Sequence, residues 1–311
     1  MGLIRKIRRL RDRRKYGQVR PRREILLERI DVATQVGIEI GALCNPLVTK
    51  SESNGKVVYV DYASAEQLRE HFRHDPNVRL DEIVETDLIW GNRRLPELVG
   101  DRRFDYVLAS HVIEHTPNMI GWLREIATVL RDDGILALAI PDKRYTFDMK
   151  RELTSLATLV EYFLQDRRRP STRDVFDHKL LTGPVDLVRA WSGTLHPDEV
   201  VPMETLQQAW EGAQLNETSE TYIDVHVSVV TPLRFLELIS GMNRLGLFDF
   251  TLLDFVDTQR NALEFFVTLA RTPRAVSREE AIARQDASIA AAIAQLTATT
   301  SKRVAPARNP A

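Results

Sequence analysis

The sequence of 311 residues predicts an α/β protein built on a doubly wound parallel sheet. Two apolar, β-branched runs support this prediction: VGIEI over 36–40 and VVYV over 57–60. Runs with so little alternation suit a parallel sheet covered on both faces. Gly41 closes the first run and Asp61 the second. A glycine turn after one strand and a carboxylate about twenty residues later is the arrangement in which such folds bind a ribose.

The turn after the first strand lacks a phosphate-binding pattern. A dinucleotide site requires G-x-G-x-x-G, so that the backbone can approach a pyrophosphate. Here Gly41 is followed by Ala42, Leu43, Cys44 and Asn45, without a second glycine. A ribose-binding acid without a pyrophosphate site indicates a nucleoside cofactor that carries no phosphate, and S-adenosylmethionine is the common one. The alternative is that Gly41 only ends a strand.

Further strands and helices are predicted in alternation. Ser64 stands three residues before Gln67, which is a capping box. Thr116 and Pro117 suit the N-cap and first position of a later helix, and Gly134 fits just beyond its end. The third, fourth and fifth strands are predicted over 83–87, 104–110 and 135–140.

The order of these blocks resembles the class I S-adenosylmethionine-dependent methyltransferases. Residues 39–41 match their acidic-x-Gly motif, and FDYVLASHVIEH, LRDDG and ILALAIPD follow at the expected separations, so the resemblance covers 36–148. It departs from the family where the usual later glycines are replaced by Leu43 and Asn45. The resemblance implies a seven-stranded, Rossmann-like sheet. It also implies a closing helix over 231–243 and an antiparallel strand pair over 248–256 and 263–269.

The same resemblance implies which residues contact S-adenosylmethionine. Asp61 would bind the ribose, Asp87 would bind the adenine amino group, and Ser110 would lie near the methionine part. The full set of expected cofactor-binding residues is Glu39, Gly41, Ala42, Asp61, Asp87, Leu88 and Ser110.

Titratable residues follow the predicted strands, where open α/β sheets place their chemistry. A neutral imidazole is the usual general base near pH 7. We therefore expect His111 or His226 to accept the acceptor's proton, with Asp142 as the next candidate. Asp142 could instead form a structural ion pair with Arg144, and His115 could simply pack beside the cofactor. A metal site formed by residues of the HVIEH string, 111–115, is the weaker alternative, and a site without metal is expected.

An insertion is expected between the fifth strand and the closing helix. The predicted organisation is a basic N-terminal arm or helix over 1–30, a cofactor-binding core over 31–148 and a helical cap over 149–220. The core is then completed over 221–272. An Ala-rich helix and disordered tail are expected over 273–311.

Charge is distributed unevenly along the chain. Residues 1–24 hold 11 Lys or Arg against Asp12 and Glu24, a charge of +9, while the whole chain has −1. The arm could contact an anionic membrane or a protein partner, or it could be a solvated helix or oligomer contact. No nucleic-acid partner is expected, because no aromatic residues interleave with these charges. The single cysteine, Cys44, and the lack of a membrane-length apolar run predict a cytoplasmic protein.

The expected activity is methyl transfer to a small hydroxylated acceptor. The string PDKRYTFD over 141–148 resembles bacterial methyltransferases encoded among glycan and secondary-metabolite genes. That resemblance implies O-methylation of a sugar or natural product. The alternatives are N- or C-methylation of another small metabolite, or a non-catalytic methyltransferase-like scaffold. The sequence does not specify the oligomeric state.

Overall fold

A computed structural model describes the backbone of residues 19–304 and the side chains of 19–297. Within that part of the chain, seven strands form one sheet. They are β1 Gly37–Ile40, β2 Val57–Asp61, β3 Leu88–Ile89, β4 Phe104–Ser110, β5 Leu130–Pro141, β6 Phe250–Val256 and β7 Glu264–Arg271. Their order is β3-β2-β1-β4-β5-β7-β6. The first five strands are parallel, and β7 is antiparallel between β5 and β6. The predicted α/β fold with a closing antiparallel pair is confirmed.

Ten α-helices surround the sheet in the described residues. They are α1 Arg22–Leu26, α2 Ala65–His71, α3 Leu95–Val99, α4 Met119–Val129, α5 Leu156–Leu164, α6 Thr172–Leu181, α7 Leu187–Ser192, α8 Leu206–Thr218, α9 Pro232–Arg244 and α10 Arg278–Val304. No helix within 19–304 has the length and apolarity that a membrane crossing would require.

The sheet is covered on both faces, as its continuous apolar strands require. In β4, Val107 and Ala109 pack into one hydrophobic cluster with α3, α4, α9 and α10. The alternate residues Tyr106 and Leu108 pack into a second cluster with Ile25 of α1. β1 is buried at all four positions. The core therefore lies on either side of the central strands and holds their carboxyl ends in a fixed arrangement.

The third strand differs from its prediction. β3 contains only Leu88 and Ile89, paired with the end of β2. In the predicted segment, Ile83 instead packs under α2. The backbone N–H of Val84 donates to the carbonyl of Leu43 at 2.9 Å. The apolar residues at 83–84 thus fill a satellite cluster, and the predicted strand over 83–87 is wrong.

Helix α4 begins later than predicted. Its N-cap is Asn118, whose side chain accepts from the backbone N–H of Gly121 at 2.8 Å. The Thr116 hydroxyl donates instead to the carbonyl of Ile113, within a 3-10 turn over Ile113–His115. At the other end, α4 ends at Val129, and β5 begins at the next residue. Gly134 therefore lies inside β5 and does not end the helix.

Capping predictions at two other helices are confirmed. Ser64 and Gln67 form the capping box of α2. Thr231 caps α9 by accepting from the backbone N–H of Arg234 at 3.3 Å. Helices α5 to α8 occupy the predicted insertion, and an extended segment over 219–230 leads from α8 back to the sheet.

The chain ends also differ from the expected division. The first 18 residues of the expected arm lie outside the described residues. Ile25 and Leu26 of α1 are buried in the core, so this part of the predicted arm packs on the sheet. The expected Ala-rich helix is present as α10, and the predicted disordered tail falls mainly on 305–311, outside the described residues.

Candidate active site

A cavity of about 560 Å³ opens at the carboxyl ends of the parallel strands. Gly41 follows β1, Asp61 ends β2 and His111 follows β4, and all three line the cavity. Parallel strands bring their carboxyl ends to one edge of the sheet, which is where open α/β folds bind ligands. Two of the seven predicted cofactor residues, Gly41 and Asp61, therefore lie at the cavity, as does the predicted base His111.

The turn after β1 requires glycine. Gly41 has φ of +69°, and an added Cβ would lie 2.9 Å from Cγ2 of Val112. Its backbone N–H donates to the carbonyl of Val60 at 3.0 Å, which ties the turn to β2. The next positive φ, +45°, falls on Leu43 and not on Asn45. The turn thus has its left-handed backbone without the second glycine of the family motif.

Asp61 lies half-buried where β2 ends. The backbone N–H of Tyr62 donates to its Oδ1 at 2.7 Å. Burial raises the pKa of Asp61 to about 6, although hydrogen bonds from the backbone oppose the shift. At neutral pH the carboxylate is therefore charged, and it faces a cavity in which a hydroxyl donor would stabilise that charge.

Aromatic residues that were not predicted form the cavity walls. Trp90 follows β3 and stacks against Trp122 of α4, with ring centroids 6.4 Å apart. Tyr62 stacks against Tyr222 at 6.1 Å, and Tyr222 comes from the extended segment after α8. The sequence predicts that the third strand ends at residue 87, whereas β3 ends at Ile89, which is why Trp90 was not among the predicted site residues.

Glu39 holds the loop that follows β1 through hydrogen bonds to its backbone. Its carboxylate accepts from the backbone N–H groups of Leu47 at 2.6 Å and Val48 at 3.0 Å. It is 3% exposed, and burial raises its pKa to about 7, against the effect of those two hydrogen bonds. Glu39 therefore holds the loop after β1 and does not line the cavity.

Asp87 also lies away from the cavity. Lys50 forms an ion pair with its carboxylate, and the backbone N–H of Tyr59 donates to Oδ2 at 2.7 Å. These contacts join Asp87 to β2 and leave the expected adenine contact without support in the structure. Among residues 19–297, the lining of the cavity likewise does not include Ala42, Leu88 or Ser110.

His111 lies on the cavity wall with one ring nitrogen engaged. Its Nε2 is 2.7 Å from Oε2 of Glu264, and Oε1 of Glu264 accepts from Arg22 Nε at 2.8 Å. Burial opposes the charge of Glu264, but the hydrogen bond and attraction of His111 outweigh it and lower the pKa of that carboxyl. His111 has φ of +56°, which turns the chain after β4.

Two further histidines lie near His111, and each is paired with a carboxylate. His115 lines the cavity, and its Nδ1 is 2.8 Å from Oδ1 of Asp224. His226, 6% exposed, lies behind His115 with its Nδ1 2.6 Å from Oδ2 of Asp148. Burial lowers the pKa of His115, but Asp224 more than offsets this and raises it to about 9. The predicted base His226 thus has no direct place on the cavity wall.

Asp142 is fully buried in a structural contact. Arg144 donates to both of its oxygens, including Nε to Oδ1 at 2.9 Å, and the Thr258 hydroxyl donates to Oδ2 at 2.7 Å. Asp142 does not line the cavity. The pairing with Arg144 is the structural alternative considered from the sequence, and the third candidate base lies away from the cavity.

Glu114 occupies the centre of the histidine group. Its backbone carbonyl accepts from Val227 at 2.7 Å and Ser228 at 2.9 Å, which fixes the extended segment against the end of β4. Its carboxylate is 1% exposed, and neither oxygen has a hydrogen-bond partner among the described residues. Asp224 and His226 therefore reach the HVIEH string through backbone contacts that no local sequence pattern predicts.

Comparison with known proteins places the chain in a family. A family model described as "Methyltransferase domain" matches residues 10–219. No curated protein shows significant similarity to the chain. A Rhodobacter sphaeroides structure described as a zinc-dependent alcohol dehydrogenase is 18% identical over 84% of this chain and 93% of that chain, with a TM-score of 0.44.

Two structures described as methyltransferases are similarly distant. The CcbJ methyltransferase of Streptomyces caelestis is 12% identical over 80% of this chain and 89% of that chain, with a TM-score of 0.41. A Listeria monocytogenes protein described as an S-adenosylmethionine-dependent methyltransferase is 10% identical over 80% of this chain and 98% of that chain, with a TM-score of 0.40. Such scores add nothing about substrate. The family model covers more than half of the sequence, and the chain therefore belongs to the Methyltransferase domain family, as an S-adenosylmethionine-dependent enzyme of class I.

Proposed function

We propose that this enzyme transfers a methyl group from S-adenosylmethionine to a hydroxyl of a small acceptor, such as a sugar or natural product. The observation that supports this proposal is one cavity that is lined by Gly41, Asp61 and His111 together. The first pair suits a nucleoside, and the imidazole suits a hydroxyl that must lose its proton. The proposal places the reaction in the cytoplasm, because the single Cys44 fits a reducing compartment.

The residues of the cavity fit the cofactor. Gly41 lines the cavity without a side chain, so a ligand could approach its backbone closely. The Asp61 carboxylate would accept hydrogen bonds from ribose hydroxyls, and the neighbouring rings of Trp90 and Trp122 offer apolar faces to an adenine. The bound cofactor supplies an electrophilic methyl group on a sulfonium.

His111 is the residue we assign as general base. With Nε2 donating to Glu264, Nδ1 is the basic nitrogen. The bound cofactor would supply the methyl group to the acceptor oxygen and leave as S-adenosylhomocysteine, while Nδ1 of His111 would accept the proton of the acceptor hydroxyl. Glu264 would then stabilise the imidazolium. Most of the acceleration would come from holding the two reactants in line.

A small acceptor suits the dimensions and lining of the site. The cavity volume lies within the range of about 300–1,000 Å³ typical of small-molecule sites. Tyr62 and Tyr222 form a stacked wall beside Asp224, which combines an apolar face with a carboxylate. Such a wall suits a molecule with both apolar faces and hydroxyls. The alternative is N- or C-methylation of another small metabolite.

The test is methyl transfer from a labelled donor to a panel of sugars, phenols and amines. We expect label in a hydroxylated acceptor, and expect His111→Asn to lower turnover by about 10²- to 10⁴-fold while S-adenosylhomocysteine affinity is retained. Asn is preferred to Ala because it tolerates the positive φ of this residue. Label only in amines would favour N-methylation, and no label in any hydroxylated acceptor would contradict the proposal.

A further inference from the structure

We propose that Glu114, His115 and His226 bind a divalent first-row transition-metal ion at the wall of the cavity. Their ligand atoms all lie within 4.8 Å of one another. His226 Nε2, for example, is 3.9 Å from Oε1 of Glu114. Metal–ligand bonds of about 2.0–2.2 Å place neighbouring ligands roughly 3–4 Å apart, so only small side-chain movements are needed.

The carboxylate of Glu114 indicates that a ligand is needed here. It is 1% exposed, and both oxygens lack a hydrogen-bond partner among the described residues. The Nδ1 atom of His111 is 3.5 Å from Oε1, and no hydrogen bond joins the two atoms. A buried carboxylate without hydrogen bonds is strongly unfavourable. A bound cation would supply the missing partner.

The two histidines are oriented as metal ligands are. Metal-binding imidazoles usually donate their second ring N–H to a carboxylate, which fixes the ring and its tautomer. His115 Nδ1 pairs with Asp224 at 2.8 Å, and His226 Nδ1 pairs with Asp148 at 2.6 Å. Asp148 is itself held by Arg151 at 2.8 Å. The Nε2 atom of His226 is thus the nitrogen nearer to Glu114, and a metal ion bound to His115 would take the place of the proton on its free ring nitrogen.

The donor set selects the class of metal. Two imidazoles and one carboxylate are suitable ligands for the first-row divalent ions from Mn²⁺ through Zn²⁺, whereas Mg²⁺ and Ca²⁺ prefer oxygen ligands. Three protein ligands leave coordination positions open, and His115 is the one of the three that lines the cavity. This proposal differs from the expectation of a site without metal. The sequence of residues 111–115 does not indicate that His226, far along the chain, would lie beside Glu114 and His115.

An ion at this position would bind the acceptor's hydroxyls beside His111. That consequence depends on the proposed function, whereas metal binding by itself does not. The two can therefore be tested separately, one by titration with metal ions alone and the other by titration with S-adenosylhomocysteine.

The experiment uses the untagged full chain, stripped with a chelator and titrated by calorimetry with Zn²⁺, Mn²⁺ or Mg²⁺. We expect one ion per chain, with Zn²⁺ bound more tightly than Mn²⁺ and Mg²⁺ most weakly. Asp224→Asn should weaken Zn²⁺ binding by about 10- to 100-fold, and Glu114→Gln by more. His196→Gln is the matched control, because His196 is exposed and pairs only with nearby residues of its own turn. Absence of stoichiometric binding, or unchanged affinity in Glu114→Gln, would overturn the proposal.

A spectroscopic measurement keeps the test decisive if Glu114→Gln does not fold. Co²⁺ added to the wild-type chain should give visible absorption bands that His196→Gln retains and His226→Gln loses. Wild-type protein without such bands would also refute the site. Binding of S-adenosylhomocysteine without binding of metal would overturn this inference alone, and the reverse result would overturn only the proposed function.

Discussion

Glu39 and Asp61 are both carboxylates at strand ends, yet their surroundings give them different roles. Glu39 accepts two backbone hydrogen bonds beneath the loop and is enclosed by protein. Asp61 has one oxygen bonded to the Tyr62 backbone and faces the cavity. Burial raises the pKa of both carboxyls. The charge on Glu39 affects folding, whereas the charge on Asp61 affects ligand binding.

Cofactor affinity should depend on pH through Asp61. The pKa of this carboxyl is about 6, and ribose hydroxyls donate best to its ionised form. Affinity should therefore rise between pH 5 and 7 and change little above that range. Calorimetry with S-adenosylhomocysteine across this range measures the effect, and Asp61→Asn should show a flatter profile. An equal pH dependence in the variant would show that another group is responsible.

Glu39 should make the fold less stable as pH rises. Its folded pKa of about 7 exceeds the ordinary 4.5, so the folded state binds the proton more tightly than the unfolded state. The stabilisation is complete below about pH 4.5 and is lost as pH rises through 7, by up to about 1.4 kcal/mol per pH unit. Urea unfolding of wild type and Glu39→Gln should show this slope only in wild type. Parallel slopes would contradict the assignment.

At the scale of elements, the N-terminus of α4 positions one wall of the cavity. Asn118 caps the helix, and Gly121 and Trp122 of its first turn also line the cavity. Asn118→Ala should cost about 1 kcal/mol of folding free energy and should weaken S-adenosylhomocysteine binding. Ser155→Ala removes the equivalent cap from α5, whose cap residue is not part of the lining. Ser155→Ala should reduce the folding free energy without weakening S-adenosylhomocysteine binding. Equal affinity for S-adenosylhomocysteine in the two variants would contradict the role of α4.

Element boundaries were predicted well only where local signals agreed. Ser64 and Gln67 have no competing partners, and their capping box formed as expected. Thr116 had a competing local acceptor in the Ile113 carbonyl, so the cap moved to Asn118. At β3, apolar residues of a satellite cluster had the composition of a strand. Residue types alone therefore do not show which of two nearby residues caps a helix, or whether an apolar segment forms a strand.

For the whole molecule, the long buried strands made the fold class predictable. Gly41, Asp61 and His111 were found because each directly follows or ends a strand of the predicted sheet. Contacts of His115 with Asp224, and of His226 with Asp148, join distant parts of the chain. Their formation depends on the path of the insertion, which has no short-range signature. The arrangement of these histidines and carboxylates could therefore not be predicted from the sequence.

Contacts of Arg20 and Arg22 attach the N-terminal segment to the core. Arg20 exchanges two hydrogen bonds with Gln259, and Arg22 binds the Glu264 that holds His111. Removal of residues 1–24 should therefore lower the melting temperature. A truncated protein that melts at the same temperature as the full chain would show that these contacts contribute little.

Calorimetric titration with S-adenosylhomocysteine shows whether the cavity beside Gly41 and Asp61 binds the methyl donor, as proposed here. Wild type should bind one molecule per chain, and Asp61→Ala should lose about 1.5–3 kcal/mol of binding free energy. Asp87→Asn is the control, because Asp87 lies outside the cavity and should leave binding unchanged. No binding by wild type, or equal affinity in wild type and Asp61→Ala, would contradict the account.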